Sequence, residues 1–336
     1  MIWLTWRQYR RAALFTLIAL GALAGVLVPT ALAMHRAYDG LGLPQCAASL
    51  GSAQLVPQTT AAGCESLAGR FEQQYAPMNL IGILFVTVPL LVGLFFGAPL
   101  VSRELEHGTH RLVWTQGITR RRWILMRFGL IGGAALVLAV VYALGVAWWS
   151  GPLVAAGGGR FNVLSFDVQG VVPIGYTLFA IALGVCAGTF LGRTLSAMGA
   201  TLAGFVVVRV VVAQAARPHF MAAASLTYPL RSALTTNPMA NDWIFAQGVI
   251  GANGQVMVPN THVNCPVGDV SGGSTGLGPV PVHGCSSLRV GKGASNWLLY
   301  QPGDRFWAFQ GIETGIFLAL AALLIALAVR RLGRVS

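Results

Sequence analysis

Charge is scarce in this chain. Of its 336 residues only 10% are Asp, Glu, Lys or Arg, and just ten are acidic. That is too little polar surface to cover a soluble protein of this length, so a water-soluble globular protein is excluded. Lysine is almost missing: Lys292 is the single one, and the other basic residues are arginines. Those arginines form no one patch but fall between apolar runs, which excludes a nucleic-acid groove and makes them determinants of membrane topology. A phosphate-binding G-x-x-x-x-G-K-[ST] loop is missing too. The nearest approach is Gly291, Lys292 and Gly293, where Ser286 occupies the place of the first glycine.

What is present is apolar length. Hydrophobic residues make up 55% of the chain, and the mean hydropathy is +0.67. Six runs pass the test for a membrane-spanning helix, at residues 12–34, 78–101, 124–149, 171–191, 197–216 and 306–329. The expected fold is therefore all-α, a polytopic bundle of six transmembrane helices. An even number puts both termini on one side, with residues 1–11, the loop 102–123, the turn 192–196 and the tail 330–336. That side, with Arg127 at the foot of the third span, holds 13 basic residues, against 8 in the long loops 35–77, 150–170 and 217–305. By the positive-inside rule the termini are cytoplasmic and the long loops lie outside; the expected location is the cell membrane, of bacterial plasma-membrane type. Arg10 and Arg11 precede a run ending Ala31-Leu32-Ala33, which has the look of a cleavable signal. The run is longer than a signal core, so it is read as a true span. Before it, Trp3, Trp6 and Tyr9 alternate with Arg7, Arg10 and Arg11, the pattern of an interfacial helix.

Cysteines divide as four plus one. Cys46 and Cys64 share the first outer loop, Cys265 and Cys285 share the last, and Cys186 lies in the fourth span. In an oxidising compartment each loop pair is expected to close a disulfide, worth roughly 3 kcal/mol by loop entropy. His262 and His283 beside Cys265 and Cys285 make a Cys2His2 set with zinc-like spacing, but oxidation of the thiols opposes that alternative, and no metal site is assigned. The glycine-rich stretch 246–296 reads as irregular, and Phe220–Leu234, interrupted by Pro229, as a re-entrant or interfacial helical piece.

The loop from Leu100 to Gly129 is the one expected cytoplasmic loop of any size. It contains Arg103-Glu104-Leu105-Glu106-His107-Gly108-Thr109, the pattern R-E-x-E-x-G-T. Leu112, Thr115, Gly117, Thr119 and Arg120 then give L-x-x-T-x-G-x-[ST]-R. Thr119 is placed to cap the helix that begins with Arg120, Arg121 and Arg122. These motifs resemble the loop between the second and third spans of type-2 ABC permeases, the exporters of the ABCG-like fold. Arg127 stands where many relatives have lysine, which keeps the charge. The resemblance implies a coupling helix, with Arg103, Glu104, Glu106, His107, Thr109, Arg120 and Arg121 facing the ATPase. It further implies two separate soluble ATPase subunits that bind ATP and Mg, no cofactor in this chain, and a second permease, either another copy or a homologue. It also implies that the second and fifth spans enclose the substrate path, where the stripe Phe85, Pro89, Val92 and Phe96 and the residues Phe205, Val208 and Val212 would lie.

The expected function is ATP-driven export of a hydrophobic or amphipathic compound (drug, antibiotic or lipid) by alternating access. The chain itself is then no enzyme, and its partners include membrane lipids held by the arginine triplet. A membrane-embedded lipid-modifying enzyme and a non-transporting sensor or scaffold are the alternatives. His107 and His110 offer a weaker metal reading, but Gly108 breaks the helix that would align them. Within the spans, Arg209 and Glu313 each lie seven residues inside the outer end of their helix, about 10 Å deep. Equal depth permits an ion pair between them, which is the expectation here, with Arg209 lining a wet cavity or snorkelling to the outer headgroups as the alternatives. Gly-x-x-x-Gly pairs at Gly21/Gly25, Gly93/Gly97, Gly129/Gly133, Gly184/Gly188, Gly188/Gly192 and Gly311/Gly315 are read as loose signs of tight helix packing.

Overall fold

A computed structural model of the chain describes residues 2–106, 120–157, 159–230, 232–260 and 294–334. Long apolar runs cannot leave backbone amides unpaired in lipid, so they fold as helices. Among the described residues five helices have the length and composition to cross a membrane: Leu80–Arg103, Gly132–Ala155, Val172–Leu191, Thr194–His219 and Gly303–Arg331. A span over 12–34 is not among these five; that run lies inside α1 (Ile2–Gly40), an uninterrupted helix of 39 residues. The expected interfacial helix at the N-terminus is simply the first turns of α1 and not a separate element.

After α1 come α2 (Leu43–Leu50), β1 (Leu55–Pro57) and α3 (Gln58–Tyr75), with a disulfide between Cys46 of α2 and Cys64 of α3. The next helix, α4 (Met78–Val92), carries Pro89 and passes through a π-helical turn, Gly93–Gly97, into α5 (Ala98–Glu106). Beyond residues 107–119 lie α6 (Arg120–Ala155), the short α7 (Val163–Val168) and α8 (Val172–Leu191). A tight turn at Gly192, left-handed at φ 62°, leads to α9 (Thr194–Val211). A π turn at Val212–Ala216 and a 3-10 turn at Arg217–His219 end that helix, and α10 (Phe306–Arg334) closes the bundle.

The expectation of an all-α fold is corrected by the segment between α9 and α10. Strands β2 (Ala224–Pro229), β4 (Trp243–Ile250), β5 (Val256–Pro259) and β6 (Ser295–Gln301) form an antiparallel sheet in the order β2-β6-β4-β5, and β3 (Leu234–Thr236) pairs with β1. Phe220–Leu234 is therefore partly a strand and not a re-entrant helix. Pro229 is tolerated because β2 is an edge strand, where a missing amide leaves no ladder partner unpaired. Alternate residues of β6, Asn296, Leu298 and Tyr300, are buried, a period of two that marks a half-buried strand. Asp242 clasps the end of the sheet to the start of α10: its Oδ1 accepts the Gly303 amide at 2.8 Å, and burial pushes its carboxyl pKa up.

Tight packing in the bundle has a definite seam. A Cβ on Gly184 would come within 2.5 Å of the Ala98 nitrogen, and one on Gly188 within 2.8 Å of the Ala98 oxygen. From the other side, a Cβ on Gly93 would meet Ala180, and one on Gly97 would lie 2.8 Å from the Ile181 oxygen. Two Gly-x-x-x-Gly pairs thus interlock backbone to backbone, while Gly21, Gly25, Gly129, Gly133, Gly311 and Gly315 face open space. The largest core cluster lies between α8, α9 and α10, around Tyr176, Phe179, Phe205, Phe309 and Phe317.

Candidate functional site

Four charged side chains meet inside the bundle toward the end that carries the sheet. Asp167 comes from α7, Arg209 from α9, Arg217 from the 3-10 turn after it, and Glu313 from α10. Arg217 is the hub. Its Nη2 donates to Asp167 Oδ1 at 2.6 Å and to Glu313 Oε1 at 2.8 Å, and its Nε donates to Glu313 Oε2 at 2.8 Å. Arg209 Nη2 donates to the other Asp167 oxygen at 2.6 Å. The Tyr176 hydroxyl sits against both Asp167 Oδ1 and Glu313 Oε1 and accepts from Arg217 Nη2 at 3.3 Å. The side chains of Arg217, Asp167 and Glu313 are 1–2% exposed and that of Arg209 is 14% exposed.

Two cations face two anions, so the cluster is neutral as a whole. Neutrality matters because a lone arginine at mid-helix costs about 2.5–3.5 kcal/mol on insertion scales, and a lone buried carboxylate is equally unwelcome. Rings complete the enclosure: the Arg217 guanidinium lies 4.1 Å from the Phe166 ring centroid, and that of Arg209 lies 4.9 Å from that of Tyr176.

Local backbone irregularity aims the two arginines. Eight residues of plain α-helix would turn Arg217 about 80° away from Arg209. The π turn Val212–Ala216 absorbs one extra residue, which reduces the offset to about 20° and puts both guanidinium groups on Asp167. Gln310, fully buried, anchors α7 and α8 to α10. Its Oε1 accepts the amides of Val171 and Val172 at 3.0 and 2.9 Å, and its Nε2 donates to the Phe166 carbonyl at 2.9 Å. Gly170 is required in that turn. Its φ is +66°, and a Cβ would come 2.6 Å from Gln310 Oε1.

The cluster also reaches the proline break in α4. Pro89 has no amide hydrogen to give the Phe85 carbonyl, and the Tyr142 hydroxyl donates to that oxygen at 2.6 Å. Arg209 Nη1 donates to the neighbouring Val86 carbonyl at 3.2 Å. Side chains from α6 and α9 thus satisfy oxygens at the break. Both carboxylates are engaged by arginines, an arrangement that can brace helices or be redistributed as they move.

Arg209 and Glu313 do not form the direct pair that equal depth predicted. Arg209 is held by Asp167, Glu313 by Arg217, and the two are joined only through those residues and Tyr176. Arg209 and Glu313 share a level in the bundle, but Asp167 and Arg217, which fall in the expected outer loops 150–170 and 217–305, stand between them. One signal for Asp167 stood in the sequence: it is the single acid between Glu106 and Asp242, set between Phe166 and Val168. Arg217 lies one residue past the expected end of the fifth span, close enough for the π turn to draw it inward.

The expected path stripe does not stay on one face. Phe85 is buried against Tyr142 and Trp149, whereas Phe96 is 45% exposed. Eleven residues make just over three α-helical turns, but the π turn at Gly93–Gly97 rotates Phe96 out of register. Pro89 is buried and Val92 half-buried. Phe205 and Val212 are buried in the main core with Val208 packed against it. The exposed faces run instead through Leu84, Leu91 and Phe95 on one helix pair and Val206, Val207 and Val210 on α9.

Of the expected coupling residues, Arg103 is exposed at the end of α5. Glu106 Oε2 accepts from the Thr194 amide at 3.2 Å and the Thr194 hydroxyl at 2.8 Å. Glu104 falls in α5, and Arg120 and Arg121 in the first turn of α6. His107 and Thr109 lie outside the described residues, as do Cys265 and Cys285 and with them the zinc alternative. Cys186 is a buried free thiol.

Comparison with known proteins bears on the helices from α1 to α9. A family model described as ABC-2 membrane transporter related matches residues 17–217, more than half of the chain, from within α1 to the Arg217 hub. Neither the curated proteins nor the solved structures returned a match. An apolar helical bundle with that match identifies a membrane protein, and the chain belongs to the ABC-2 membrane transporter related family.

Proposed function

We propose that this chain is the membrane subunit of an ATP-driven exporter that moves a hydrophobic or amphipathic compound out of the cytoplasm or the inner leaflet. The family match over residues 17–217, which contains the R-E-x-E-x-G-T loop, is the observation that carries this reading. In it, α1 supplies a sixth span, both termini and the arginine-rich ends are cytoplasmic, and the sheet and disulfide form an outer cap. Two such chains, or this one and a homologue, work with two soluble ATPase subunits that bind ATP and Mg. Closure of the ATPases displaces the loop after α5, the helices α4–α5 and α9 rearrange, and the buried Arg–Asp–Arg–Glu cluster holds the outer half together until they do. A hydrophobic cargo is supported by the apolar residues exposed along α4, its π turn and α9, among them Leu84, Phe95 and Val207.

The test is reconstitution in liposomes with an ATPase encoded beside this chain's gene. ATP-dependent movement of a fluorescent phospholipid or a hydrophobic dye is the expected result. Absence of any ATPase association, with no ATP-dependent movement, would sink the reading.

A further inference from the structure

The structure joins the loop-side end of α5 to the start of α9 at a point that the family resemblance does not assign. Helix α9 begins without a side-chain cap of its own: Arg193 at the cap position makes no such hydrogen bond. The first amide, that of Thr194, is satisfied by Glu106 from the last turn of α5, which places a carboxylate where the helix dipole favours one. The Thr194 hydroxyl donates to the same Glu106 oxygen at 2.8 Å and accepts from the Ser102 hydroxyl at 3.0 Å. Ser102 is fully buried, Thr194 half-buried and Glu106 exposed, so the junction lies at the rim of the bundle and is seated on a buried hydroxyl. The turn Gly192–Arg193 between α8 and α9 leaves little slack, and the Gly184/Gly188 seam presses α5 onto α8 just beside it.

Toward the sheet the same two helical rods meet again, where Arg209 of α9 donates to the Val86 carbonyl of α4. The rods are therefore tied at both ends, on either side of the π turn of one and before the π turn of the other. A displacement of the α5 terminus has a direct route to α9 that bypasses the bundle interior.

We propose that Thr194 and Glu106 form a transmission latch: Glu106, besides facing the loop, drives the fifth span by holding the first turn of α9, so that α4–α5 and α9 move as one body during transport. Thr194 is then a positioning residue of the exporter. This inference rests on the exporter reading above. Its own content is the latch.

The experiment uses the full chain reconstituted with its ATPase, comparing wild type with Thr194→Val, Thr194→Ser, Glu106→Ala and the Thr194→Val/Glu106→Ala pair. Two quantities are read: amide hydrogen exchange over residues 192–200 in the chain alone, and cargo moved per ATP hydrolysed. Thr194→Val and Glu106→Ala should each speed exchange at the start of α9 and lower transport per ATP by about tenfold, the scale of a hydrogen bond to a charged group. Thr194→Ser keeps both donors and should restore both quantities, and the pair should be no worse than the more damaging single change. Unchanged transport per ATP in Thr194→Val, with wild-type transport intact, overturns the latch alone. Equal loss in Thr194→Ser and Thr194→Val also overturns it, since the hydroxyl would then be irrelevant. If Thr194→Val fails to assemble, Glu106→Gln decides: with the charge removed but the acceptor kept, wild-type exchange and transport per ATP would overturn the charged cap, and losses between those of wild type and Glu106→Ala would support it. A wild type without ATP-driven transport condemns the exporter reading instead.

Discussion

At the scale of single residues the argument turns on Arg217, which answers two carboxylates at once. Removing it leaves Asp167 and Glu313 buried and facing each other, and breaking a buried pair in this way costs about 3–5 kcal/mol. Arg209 is more exposed and shares only Asp167, so its loss should cost less. We expect Arg217→Ala to lower thermal stability in detergent well below that of Arg209→Ala. Double-mutant cycles sharpen the test: Arg209 with Asp167, and Arg217 with Glu313, should couple by about 1–3 kcal/mol each, and Arg209 with Glu313 by clearly less. A larger coupling for Arg209 with Glu313 than for either direct pair would mean that the cluster is wired as depth alone suggested. That contrast also shows what was legible at this scale. Two of the four charges stood out in the sequence because they interrupt apolar runs. Asp167 and Arg217 were hidden because each sits a few residues outside a run, and only a short helix and a π turn bring them in.

At the scale of elements, the apolar runs 171–191 and 306–329 fall on α8 and α10, since a run of about 20 apolar residues has one satisfactory fold in lipid. What the pattern could not give was phase. A π turn adds one residue without changing composition, and it separates Phe96 from Phe85 and unites Arg217 with Arg209. The sheet was missed for a different reason: glycines dominate 246–296, and the period-two burial of β6 begins only at its C-terminal edge. Two predictions belong here. Tyr142→Phe strips the Phe85 carbonyl of its partner and should destabilise by about 1 kcal/mol, whereas in a Pro89→Ala background, where an amide returns to that carbonyl, the same change should be nearly neutral. Equal effects in both backgrounds would show that Tyr142 does not serve the proline break. The glycine seam gives the second. Gly188→Ala forces a Cβ into the Ala98 carbonyl and should cost about 1–3 kcal/mol by overpacking, while Gly311→Ala meets open space and should be neutral or gain up to about 1 kcal/mol of helix propensity. Thermal unfolding of the two variants side by side decides it; a neutral Gly188→Ala would refute the interlocked seam.

At the scale of the whole molecule, orientation follows from where the arginines lie relative to the cap. The disulfide of α2 and α3, the β1–β3 pairing and the four-stranded sheet all sit at the ends of helices opposite α5 and the α8–α9 turn. The ends on the α5 side, with the last turns of α10, carry Arg103, Arg193, Arg330, Arg331 and Arg334, together with the arginine triplet at 120–122. The cap side is longer and poorer in basic residues, and the rule that retains arginine-rich loops acts on short loops near the ends of spans. The cap is therefore expected outside and the α5 end inside, which also places Cys46 and Cys64 where thiols oxidise. Alkaline phosphatase fused within 51–54, in the turn between α2 and β1, should be active in intact cells, and the same enzyme fused after Ser336 should be inactive. In parallel, peptide mapping without reductant should recover Cys46 linked to Cys64 and Cys186 unmodified. Active phosphatase at both positions would require an even number of crossings between them, so that one of the five helices from Leu80–Arg103 to Gly303–Arg331 would not span. Active phosphatase at the tail alone would invert the molecule, carry the Glu106–Thr194 junction out of reach of any cytoplasmic ATPase, and so break the link between the fold and ATP-driven export.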